Sequence, residues 1–146
     1  MLLLLFAVGL WHSLGRRRSA RIGSTLVGIA GLGIFCSGLL RLDCRHIDGG
    51  CNPQSSWHGN AHVADAAVIA LALVLAPFVL ARALRFVPEW RDLWIPTLAF
   101  GIGTIVAAVV GGAIGAGAAS LLGVLPWFTW ITVLAIRMQR IAGSTA

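Results

Sequence analysis

Hydrophobic and polar positions along the chain separate into long apolar runs with short polar joins. Residues 1–14, 22–40, 57–81, 93–112 and 119–136 form five apolar segments. A bilayer core needs about 20 apolar residues per helix. Four of the segments meet that length and the first falls short. No run alternates apolar and polar side chains as a membrane barrel strand does. The expected fold is therefore all-α: one polytopic transmembrane bundle over residues 1–146, of about five helices, with a polar outer loop over residues 41–56.

Composition agrees with that pattern. The chain is 58% hydrophobic and 11% charged, with a mean hydropathy of +0.90. Soluble domains carry about 25% charged residues. This excludes a secreted disulfide knot, a disordered tail and an ordinary cytosolic enzyme. It also excludes a nucleic-acid partner, although the net charge is +6. The partner is the lipid bilayer, and the expected location is the cell membrane. Every basic residue is Arg, which together with the abundant Ala points to a GC-rich bacterial genome.

The charges orient the helices. Arg16, Arg17, Arg18 and Arg21 join the first two segments, Arg82, Arg85 and Arg91 join the third and fourth, and Arg137 and Arg140 follow the fifth. The alternate side holds only Arg41 and Arg45, offset by Asp43 and Asp48. The positive-inside rule makes the Arg-rich face cytoplasmic. The N-terminus is then outside and the C-terminus inside. The first arginines follow the first apolar run rather than precede it, which argues against a cleavable signal.

Other residue types refine the helices. All six Trp fall near expected helix ends, where indole rings favour the headgroup level. Gly28, Gly31, Gly33, Gly101 and Gly103, with the Gly111/Gly115 spacing, suit close helix packing. Their first use is within the chain; a homo-oligomer or a membrane-complex partner is the alternative use of these Gly-rich faces. The Gly/Ala-rich stretch 111–120 reads as a tight outer turn. Pro77 and Pro126 mark kinks or helix starts.

The stretch from Arg41 to Asp65 breaks the apolar monotony. It holds three of the four His, three of the five acids and two of the three Cys. His58, His62 and Asp65 share one helical face if the helix begins near Trp57. Paired His at this spacing, with Asp43 from the end of the preceding helix, could ligate zinc. The glutamate that follows the first His in zinc proteases is replaced by Gly59. The alternative is a metal-free polar network. Asp65, two turns into an apolar helix, is the candidate catalytic or proton-carrying group, with His62 its nearest partner in sequence. Cys44 and Cys51, with Gly49 and Gly50 between them on the oxidising side, are a disulfide candidate. Cys36 is expected to pack as an apolar side chain. Phosphate-binding loops, nucleophile elbows and CxxC motifs are missing from the sequence.

Ser56, Trp57, His58, Gly59 and His62 resemble a motif of the multi-pass membrane family numbered domain of unknown function 998, known from bacteria and archaea. Gly33, Phe35 and Asp43 are similar to a looser second motif, and Trp127 to Arg140 to the family's last helix. The resemblance implies a polytopic bundle without an assigned activity. It also implies that this chain lacks the family's usual first helix. Three functions remain open: an accessory, sensing or structural membrane protein; a metal-dependent hydrolase of lipid-like substrates, using His58, His62 and Asp43; and a transporter or proton-handling subunit, using Asp65 and His62.

Overall fold

A computed structural model describes residues 1–40, 42–43, 52 and 54–144, with backbone alone for 116–120 and 144. Five α-helices follow one another: α1 (Leu2–Ser13), α2 (Arg18–Ser37), α3 (Trp57–Leu84), α4 (Trp94–Ile114) and α5 (Ala116–Ser144), with a 3-10 turn at Pro88–Leu93 before α4. Among the described residues there is no strand. The expected all-α bundle is observed. The 20 residues of α2 and the 28 of α3 are long and apolar enough to cross a bilayer. So are residues 88–114 and 121–143. The 12 residues of α1 rise only about 18 Å, roughly half a bilayer core.

Helix α2 packs against α3, α4 against α5, α1 against α2, and α3 against α4; α1 also touches α5, so the first and last helices meet. The joins are short for identifiable reasons. Gly15 adopts φ +74, a conformation other residues rarely take, and reverses the chain between α1 and α2. Gly115, at φ 151 and ψ 161, alone separates α4 from α5. The expected ten-residue turn over 111–120 is therefore corrected to one residue. Ala and Gly without polar neighbours continue both helices up to the single glycine.

The core also corrects the expected Trp belt. Trp90, Trp127 and Trp130 are buried, packed with Leu10, Leu80, Leu84 and Leu134. Trp130 Nε1 donates to Thr97 Oγ1 at 3.1 Å, joining α5 to α4. Trp11 and Trp57 are exposed and Trp94 is half-buried. Indole is the largest apolar side chain available to fill space between helices that carry so many Gly and Ala.

Candidate functional site

The polar residues collect where the end of α2 meets the start of α3. Beyond Ser37, α2 relaxes into a last irregular turn. The N–H groups of Leu39 and Leu40 both donate to the Cys36 carbonyl. The Leu40 carbonyl lies beyond the regular helix ladder, and His62 Nδ1 meets it at 2.9 Å. A carbonyl only accepts, so the ring proton is assigned to Nδ1. In the neutral ring, Nε2 then keeps its lone pair.

Helix α3 starts from a capped end. Ser56 adopts an extended backbone, and its Oγ accepts from the Gly59 N–H at 3.3 Å. Asn60 donates to the Ser56 and Gln54 carbonyls at 2.9 and 3.2 Å. Asp43 reaches this cap from the α2 side. Its carboxylate accepts from Ser56 Oγ at 2.5 Å, from the Ser56 N–H at 2.6 Å and from Ser55 Oγ at 3.0 Å. A carboxylate at a helix N-terminus also lies at the positive end of the helix dipole. The Ser56 hydroxyl, then the Ser56 N–H, hold the Asp43 carboxyl below the usual carboxylate range.

Asp65 lies about 12 Å along α3 from Trp57 by helical rise. Its Oδ2 accepts from Ser37 Oγ on α2 at 2.5 Å. Gly33, one turn before Ser37, makes room for this approach. A Cβ there would meet Ile69 Cγ1 at 2.5 Å and Asp65 Oδ1 at 3.0 Å. The junction is thus an antiparallel ladder between α2 and α3. Its rungs, from the end of the bundle toward its middle, are Asp43 with Ser56, Leu40 with His62, Ser37 with Asp65, and Gly33 with Ile69. The partner expected for Asp65, His62, is replaced by Ser37, because His62 is turned to the Leu40 carbonyl.

His58 lies beside the ladder. Its ring stacks on exposed Trp57, with centroids 3.6 Å apart, and its buried Nδ1 has no hydrogen-bond partner among the described residues. Among the described residues no group of three His, Cys, Asp or Glu side chains forms a metal-holding cluster. Cys44, Cys51, His46 and Asp48 lie outside the described residues, and so does the disulfide expected of the two Cys. Sequence reading missed Ser37, Ser55, Ser56 and the Leu40 carbonyl as partners. The small-residue spacing of Gly33 and Ser37, four apart on α2, was the available signal for a close helix contact.

The family description "Protein of unknown function (DUF998)" matches residues 1–137. The chain belongs to this family. Neither the curated proteins nor the solved structures yield a match. The match spans all five helices up to Arg137, and with the apolar helices it identifies this DUF998 chain as an integral membrane protein. Its Ser56-Trp57-His58-Gly59 segment forms the cap and first turn of α3, and His62 forms the second rung of the ladder.

Proposed function

We propose that this chain is a small accessory or structural protein of the cell membrane, and that its outer polar cluster is a clamp between α2 and α3 rather than a reactive centre. One observation carries the reading. Asp43, His62 and Asp65 all spend hydrogen bonds across the same helix junction, on Ser56, Leu40 and Ser37. A charged side chain at the centre of a membrane helix costs about 2.5–3.5 kcal/mol on insertion scales. Asp65, two turns in from the start of α3, bears part of that cost and needs a partner, and here a packing partner, Ser37, supplies it.

The N-terminus outside and the C-terminus inside remain our proposed orientation. The arginine-rich connections gather at one end of the bundle in support of it. Arg17, in the α1–α2 join, lies 5.1 Å from the Phe86 ring after α3, and Arg137 on α5 pairs with Asp92 before α4. Among the described residues nothing lies within 4 Å of a would-be Cβ at Gly103, in keeping with a neighbouring helix from a second copy or another membrane protein.

A second reading, a zinc-dependent hydrolase, is favoured by the His62 ring, whose Nδ1 is turned to the Leu40 carbonyl, and by the His58 Nδ1, which has no hydrogen-bond partner among the described residues. A ring that donates its other N–H to a backbone carbonyl is the common arrangement of a metal-bound His. Asp43 would have to leave Ser56 to complete the ligand set. Metal analysis of detergent-purified protein, beside a His58→Ala/His62→Ala variant, separates the two readings. The clamp predicts no bound zinc without chelators and a variant that only melts at lower temperature. About one zinc per chain, lost in the variant, contradicts it.

A further inference from the structure

Two open cavities at the arginine-rich end of the bundle meet at Arg85 and Phe86. One, of about 410 Å³, follows α3 and α4 between Phe78 and Leu98, with Arg82 and Trp94 at its border. The other, of about 570 Å³, continues past Pro88 to Arg91. The Arg85 guanidinium lies 5.8 Å from the Phe86 ring and 5.7 Å from the Trp94 ring. Such contact with aromatic faces restrains the planar group and leaves its N–H edge available for a bidentate anion. Among the described residues no carboxylate pairs with Arg82, Arg85 or Arg91; the nearby Asp92 pairs with Arg137.

We propose that the joined cavities hold one anionic phospholipid, with its phosphate against Arg82, Arg85 and Arg91 and an acyl chain along Phe78 and Leu98. The shape is that of an amphiphile. A cationic mouth opens outward, and an apolar groove leads from it along the membrane-spanning helices. A free phosphate would use the mouth and leave the groove empty. Orientation by positive charge accounts for arginines in this connection. It does not account for an arginine in contact with two aromatic rings, Phe86 and Trp94, beside an apolar groove. Basic pockets between membrane helices are suited to phospholipid headgroups.

The test is native mass spectrometry of the full chain in neutral detergent, titrated with phosphatidylglycerol and with phosphatidylcholine of the same acyl chains. The expected result is at least tenfold tighter binding of phosphatidylglycerol. Arg82→Gln/Arg85→Gln should remove that preference and Arg16→Gln should keep it. Helicity by circular dichroism checks that the variants are folded. Where the double variant is not folded, Leu98→Trp fills the groove with every arginine in place, and it too should weaken phosphatidylglycerol binding about tenfold. Equal binding of the two lipids, or a preference that survives in folded variants, overturns the proposal. Inorganic phosphate that raises the melting temperature of lipid-free protein as much as phosphatidylglycerol does would overturn the lipid as occupant.

Discussion

Ser37 on α2 donates its hydroxyl proton to the Asp65 carboxylate on α3 at 2.5 Å, and the two helices come this close beside Gly33. The contact explains how an acid sits two turns inside an apolar helix. It also links a sequence oddity, the lone Asp65, to a packing requirement on the neighbouring helix.

That requirement is testable at the glycines. Gly33→Ala would place a Cβ 2.5 Å from Ile69 Cγ1, so the helices must separate or Ile69 must shift. The expected loss is about 1–3 kcal/mol. Gly103 has nothing within 4 Å of its would-be Cβ. Gly103→Ala should stay within about 0.5 kcal/mol of the parent. Unfolding in mixed micelles measures both. Ile69→Ala should recover part of the Gly33→Ala loss.

Asp43 gives the clamp a pH dependence with a defined sign. Its carboxyl is held below its ordinary value in the folded protein, first by the Ser56 hydroxyl and then by the Ser56 N–H. In the unfolded chain it takes up its proton first as pH falls. Its stabilisation is therefore present above the unfolded value of about 3.9 and is lost as pH drops through the lower, folded value. Melting temperature should fall between about pH 5 and pH 2 by less in Asp43→Asn than in the parent. Asp43 is fully exposed, so high salt should shrink the difference.

At the other end of the bundle, Trp130 and Thr97 form a buried pair. Thr97→Val leaves the indole N–H without its partner, a loss of about 1–3 kcal/mol. Trp130→Phe in the Thr97→Val background should add less than it does alone, because the orphaned donor is removed. A double-mutant cycle read by thermal unfolding checks this.

Much of the architecture was legible because apolar length is a direct requirement of the bilayer. Helices α2 to α5 follow from their runs, and α3 begins at Trp57 as expected. Which face of each helix turns inward was not legible. In lipid, apolar side chains gain little by turning toward one another, so Trp90, Trp127 and Trp130 looked like interface anchors and are core. The site was half legible. The density of His and acids between Arg41 and Asp65 marked the place. Its partners are Ser hydroxyls and one backbone carbonyl, groups whose role depends on where α2 ends. The irregular turn at Leu39 and Leu40 that frees that carbonyl carries no pattern of its own in the sequence.

The central claim is that the polar residues at this junction hold α2 to α3. A double-mutant cycle on Ser37→Ala and Asp65→Ala, read by unfolding in mixed micelles, tests it most directly. Hydrogen bonds between membrane helices contribute about 0.6 kcal/mol on average and about 1.7 at most. The clamp predicts a coupling at or above that average, with each single variant destabilised. Additive losses with no coupling would contradict the clamp.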